Sequence, residues 1–200
     1  KHPDGTNADD SVDLTGKLDA VVLQTDADGD SATKSVGIGD GIQFQDDGPT
    51  ADITRRSDNA VLDESLVVVG ADSNAAADNV PPAADPFAAA YGTPFGAVSG
   101  VDLVDTTVTA GADGPGATTV SLSIVAGNGT DSGLKTTSGT TINLWKESNG
   151  TVTGRAGGAT DTVVFAIKID SDGKVSVAQY GTLKHPDGTN ADDSVDLTGK

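Results

Sequence analysis

Val163-Val164-Phe165-Ala166-Ile167-Lys168-Ile169, then Asp170-Ser171-Asp172-Gly173, then Lys174-Val175-Ser176-Val177-Ala178-Gln179-Tyr180 is the stretch that decides the fold. Val163, Phe165, Ile167 and Ile169 recur at period two, which places them on one face of a strand. The Asp- and Gly-containing tetrapeptide that follows is a hairpin turn, so a second strand runs back along the first. A second hairpin reads the same way, with Ile142–Lys146 turning through Ser148-Asn149-Gly150 into Thr151-Val152-Thr153. The same alternation marks Val120, Leu122 and Ile124, and also Val36, Ile38, Ile42 and Phe44. Leu18–Thr25, Val61–Val69 and Val101–Val108 complete the expected strands, about ten or eleven in all. With Gly, Asn and Asp turns between them and no helical periodicity, the expected fold is an all-β, immunoglobulin-like β-sandwich.

Composition agrees and narrows the function. Among 200 residues there are 30 acidic and 12 Lys or Arg, a net charge of −18, and all the acidic residues except Glu64 and Glu147 are Asp. Asp competes for its own backbone and so favours turns and caps over helices, and its short carboxylate suits hard cations. So acidic a chain lacks the basic footprint that a phosphate backbone requires, which argues against nucleic acid as a partner. The absence of Cys excludes disulfides, thiolate metal sites and cysteine nucleophiles. No apolar run approaches the roughly 18–20 residues of a membrane span, so membrane insertion is not expected.

The chain also repeats itself. Residues 1–17 recur without a change at 184–200, an offset of 183 residues. Tandem repeats with that period are the expected organisation, and neighbouring identical repeats the expected partners. Asp46-Asp47-Gly48-Pro49 breaks the strand pattern, which restarts after Thr50. On this reading 1–49 is the C-terminal part of one repeat and 50–200 the N-terminal part of the next. The first 49 residues are then expected to complete such a unit, within the chain or between chains. Residues 71–97, with four prolines and runs of Ala, are expected to form a long loop with a short helical turn at Phe87–Tyr91.

The chemistry lies in the Asp clusters. Asp26, Asp28 and Asp30 alternate at the end of a strand, where a tight loop aims all three at one ion, and oxygen ligands of this kind suit Ca²⁺. The spacing opens like an EF-hand loop but does not continue as one, because Ser31 and Gly37 stand where that loop needs Gly and Glu. Asp46 and Asp47 form a second candidate at the junction between repeats, to which Asp63 and Glu64 can lend a carboxylate. Asp170 and Asp172 are a third, although a hairpin turn needs no metal. Asp9-Asp10 and its copy Asp192-Asp193 read as solvated loop charge. Gly154–Gly158, containing Arg155, reads as a turn. His2 and His185 occupy one repeat position in a loop, no constellation of a reaction class is present, and the chain is read as no enzyme. Trp145 and Tyr180 are residues that can stack on a sugar.

Taken in order, Ser-Gly-Leu (132–134), Gly-Thr-Thr-Ile-Asn-Leu (139–144), Gly-Thr-Val-Thr-Gly (150–154), Val-Phe-Ala-Ile-Lys-Ile-Asp (164–170), Gly-Lys-Val-Ser-Val-Ala-Gln-Tyr (173–180), His-Pro-Asp (185–187), Thr-Asp-Ala-Asp-Gly-Asp-Ser-Ala (25–32) and Asp-Asp-Gly-Pro (46–49) resemble the tandem extender repeats of giant RTX adhesins, which Gram-negative bacteria export by type I secretion. The resemblance implies a β-sandwich spacer on the bacterial cell surface, extracellular, with Ca²⁺ stiffening the array that holds terminal ligand-binding domains away from the cell. It implies calcium roles for Asp26, Asp28, Asp30, Asp46 and Asp47, and more weakly for Asp170 and Asp172. The glycine-rich nonapeptide that names those adhesins is absent here. The alternative expectation is a calcium-dependent carbohydrate-binding module, with the 71–97 loop and Trp145 on glycan.

Overall fold

Strand β11 (Val163–Ile169) and strand β12 (Lys174–Gln179) form the expected hairpin in a computed structural model of the chain, which describes residues 10–62, 85–88, 90–186 and 195–199. Its turn is held by Asp170, whose carboxylate accepts the backbone N–H groups of Asp172 (3.0 Å) and Lys174 (2.9 Å), while Gly173 takes the left-handed conformation at φ 82°. The second expected hairpin is β9 (Thr141–Lys146) with β10 (Val152–Ala156). With β8 (Thr130–Lys135) and β6 (Gly96–Asp102) these make a six-stranded antiparallel sheet in the order β6-β12-β11-β10-β9-β8.

Pleating sends alternate residues of this sheet to two faces, and each face has its own core. On one, Leu134, Ile142, Leu144, Val152, Val164 and Phe165 are buried together, the register shift opposite Gly154 and Arg155 breaking the alternation so that adjacent Val164 and Phe165 join one cluster, and Leu122, Ile124, Leu183, Val195 and Leu197 pack onto them. Gly154 is required here: a Cβ at this position would lie 2.3 Å from two atoms of the Phe165 ring, which crosses β10. On the other face the register aligns Ala97, Ala178 and Ala166 side by side. These small side chains leave room for Phe87, with Tyr91 and Tyr180 packed alongside. Tyr91 meets Tyr180 edge-on at 5.7 Å, and Lys168 Nζ stands 5.3 Å from the Phe87 ring centre. Burial of each such large apolar side chain contributes about 1.5–3 kcal/mol.

Chain contacts divide the protein into two compact units, one of residues up to Asp52 with Thr107–Ala117, the other of Ile53–Thr106 with Thr118 onward. The larger contains the six-stranded sheet. In the smaller, β1 (Ser11–Asp13) pairs with β4 (Gln43–Gln45), aligning Val12 with Phe44. Strands β2 (Asp19–Thr25) and β3 (Ser31–Gly37) form a separate two-stranded ribbon, every residue of which is exposed. Strand β5 (Thr50–Arg55) pairs with β7 (Val104–Thr109), each contributing to both units.

The architecture among the described residues is therefore all-β, with twelve strands in several sheets. Several expected strands differ in detail. The alternation from Val36 to Phe44 is not one strand, because β3 ends at Gly37 and a 3₁₀ turn at Gly39–Gly41 precedes β4. Within that turn Gly39 lies against Leu14, where any Cβ would fall 1.7 Å from the Leu14 carbonyl oxygen. Residues 120–124 pair with no strand, yet Leu122 and Ile124 reach the core, so the alternation reported burial without a ladder. Val101–Val108 is divided between β6 and β7. Val61 and Leu62 lie outside any strand, and the rest of that expected strand, like residues 71–84 of the expected loop, falls outside the described residues. Of the expected helical turn at 87–91, the described residues 87, 88, 90 and 91 lie in turns, and Ala88 has φ 52°.

Candidate metal centre

The turn between β2 and β3 gathers three carboxylates. Asp26 closes it twice: its N–H donates to the Asp30 carbonyl (2.9 Å), and its carboxylate accepts the Asp30 N–H (2.9 Å). Gly29, at φ 102°, supplies the reversal, and its N–H donates to the Asp26 carbonyl at 3.3 Å. One carboxylate oxygen from each of Asp26, Asp28 and Asp30 then lies within 4.8 Å of the others, on an exposed loop. A side-chain hydrogen bond with Asp26, then the backbone N–H groups of Asp30 and of Asp28 itself, hold the Asp28 carboxyl below the usual carboxylate range. Ionised carboxylates at this spacing repel, and a hard divalent cation with oxygen ligands is the chemistry that offsets such repulsion. Waters or carbonyls would complete the six to eight oxygens that Ca²⁺ takes.

The other candidates are placed differently. Asp46 accepts the Asp47 N–H on its own carboxylate (3.0 Å), and its N–H donates to the Asp10 carbonyl (3.0 Å). The Asp47 carbonyl accepts from Ala112 at 3.1 Å. Neither joins a group of three carboxylates among the described residues, and Asp63 and Glu64 lie outside them. In the β11–β12 turn Asp170 is engaged by backbone N–H groups. Both Asp170 and Asp172 act on the ammonium of Lys174, whose proton is retained chiefly through its 2.5 Å hydrogen bond to Asp102. Asp10 is buried, at 7% exposure, where the sequence suggested a solvated charge.

Arg155 is not in a turn. It lies in β10 beside a bulge after Gly154, and the chain turns only beyond Ala156. Its guanidinium donates to Glu147 Oε1 (2.7 Å), to Thr153 Oγ1 (3.1 Å) and to the Asp161 carbonyl (2.8 Å). Thr153 also donates to Glu147, so a half-buried polar knot is satisfied internally. Nothing in the spacing of 147, 153 and 155 announces this knot, since it depends on β9–β10 register. Trp145 is half-buried, its ring edge 3.5 Å from where a side chain at Gly129 would begin and its indole nitrogen buried.

No curated protein and no solved structure matches the chain. Residues 59–200 match the family described as Domain of unknown function (DUF5801), and the chain belongs to that family.

Proposed function

We propose that the chain is a structural spacer, an immunoglobulin-like β-sandwich repeat of an extracellular bacterial adhesin, set in tandem with identical neighbours and stiffened by Ca²⁺. The observation that carries this reading is the three-carboxylate turn of Asp26, Asp28 and Asp30, held in shape by its own backbone hydrogen bonds. The verbatim recurrence of 1–17 at 184–200 supports the tandem arrangement. A divalent ion also lowers the magnitude of the net charge of −18, whose self-repulsion opposes compaction. The carbohydrate-binding alternative draws little support from Trp145, which is only partly exposed and whose indole nitrogen is buried.

Calorimetric melting with calcium and with chelator tests the calcium reading. A ligand at a hundred times its dissociation constant stabilises by about 2.7 kcal/mol, enough to raise a melting transition by several degrees. The expected result is such a rise for the parent chain and none for Asp28→Asn. A transition indifferent to calcium would remove the metal from the proposal.

A further inference from the structure

Where both copies of the repeated segment are described, at 12–15 and 195–198, they make the same Asp turn in two surroundings. In the first, Asp13 accepts the Thr15 N–H at 2.9 Å; in the second, Asp196 accepts the Thr198 N–H at 2.9 Å. Both copies also alternate alike, with Val12 and Leu14 half-buried around exposed Asp13, and Val195 and Leu197 half-buried around exposed Asp196. The surroundings differ: Val12 pairs with Phe44 in the β1–β4 ladder, whereas Val195 and Leu197 lie on the buried core of the six-stranded sheet. Because the sequences are identical, the first copy carries the side chains, spacing and turn that seat the second on that core.

The first copy also brings a load that the second does not. The ribbon that follows it contains the run Ala20-Val21-Val22-Leu23, apolar toward both faces, a pattern expected of a strand covered on both sides. Here Val21 is 64% exposed, Val22 60%, Leu23 63% and Val36, across from Ala20, 64%. A two-stranded ribbon alone in water is marginally stable, so these side chains call for a partner surface.

We propose that residues 10–46 of one molecule dock on the larger unit of a second copy, where Val12 and Leu14 take the seat of Val195 and Leu197 and the β2–β3 ribbon covers the same face. The inference rests on the tandem-repeat part of the proposed function and not on its calcium part. The contact is head-to-tail, so it generates open chains of molecules rather than closed dimers. Each molecule's own 195–199 segment competes for the seat and keeps the association of the parent chain weak.

Sedimentation equilibrium on three full-length chains tests this, each run in calcium and in chelator. Val195→Asp with Leu197→Asp empties the seat and leaves the docking segment intact. This chain should associate at least about tenfold more tightly than the parent, a difference of about 1.4 kcal/mol. Val22→Lys with Leu23→Lys, at positions already exposed, should be monomeric throughout. Emission from Trp145, the single Trp and a residue of the larger unit, reports whether that unit has folded. If the aspartate pair fails to fold, Val195→Ala with Leu197→Ala carries the same expectation. No tightening in the seat variant, or association that survives the lysine pair, overturns the proposal. A melting temperature that ignores calcium leaves it standing.

Discussion

Replacing Gly154 by Ala adds one methyl group at the point where Phe165 lies across β10. The new Cβ would stand 2.3 Å from two ring atoms and 2.7 Å from a third. Contact at that distance is impossible, and the ring is itself buried, at 4% exposure, among Ile142, Leu144 and Val152, so it cannot swing into water. Overpacking of this kind costs about 1–3 kcal/mol. The backbone at 154 is not left-handed, so Ala also stiffens the unfolded chain and returns about 0.4–1 kcal/mol. The net loss is about 1–2 kcal/mol, which lowers the melting temperature by about 3–8 °C for a unit of this size. Trp145, aligned with Thr153 on the neighbouring strand, gives the fluorescence signal for the melt. The decisive comparison is made in a Phe165→Val background, where every clashing ring atom is gone. There Gly154→Ala should cost nothing or stabilise slightly, giving a coupling energy of the size seen for residues in direct contact. An equal loss in both backgrounds would refute the reasoning, because the penalty would then come from the backbone and not from the ring.

Two further outcomes follow from the same structure. The hydrogen bond from Arg155, followed by that from Thr153, holds the Glu147 carboxyl below its ordinary value of 4.5, against desolvation. A depressed folded value means stability that is present above the unfolded value and lost as pH falls through the folded one; Glu147→Gln should therefore flatten the melting temperature profile below about pH 4.5 while lowering it at neutral pH. A profile as steep as the parent's would show that other carboxylates govern acid unfolding. Gly39→Ala should disrupt the β1–β4 pairing, because its Cβ meets the Leu14 carbonyl oxygen at 1.7 Å and backbone cannot move aside as a side-chain tip can. Amide exchange should rise at Val12 and Phe44 with the Trp145 melt unchanged; protection equal to the parent's would count against the close approach of Gly39 to Leu14.

Where strand alternation coincided with a tight turn, the fold was readable. The β11–β12 and β9–β10 hairpins follow from local rules, since period-two apolar residues and Asp or Asn-Gly turns act within a few residues. Register across longer distances was not readable. The alignment of Ala97 with Ala178 joins residues far apart in the chain, and nothing local marks Ala97 as the site beneath Phe87. Alternation also misled where it reported burial alone, as at Leu122 and Ile124, which reach the core without pairing. At the candidate site, Asp26, Asp28 and Asp30 converge because their spacing is local to one turn. The knot of Glu147, Thr153 and Arg155 was invisible because it needs two strands in register before its members meet.

Five of the six strands in the larger sheet, β8 to β12, are paired in the order in which they occur along the chain. Such a meander closes only short loops as it forms, so each hairpin can assemble as soon as its residues are available. Only β6 must wait, since its partner β12 lies more than seventy residues further on. In a polypeptide of near-identical tandem neighbours, the arrangement proposed for this chain, the main kinetic hazard is misassembly, in which a strand finds the equivalent partner in the wrong copy. Nearest-neighbour pairing shortens the time during which that error is open, and within the six-stranded sheet it confines the risk to β6.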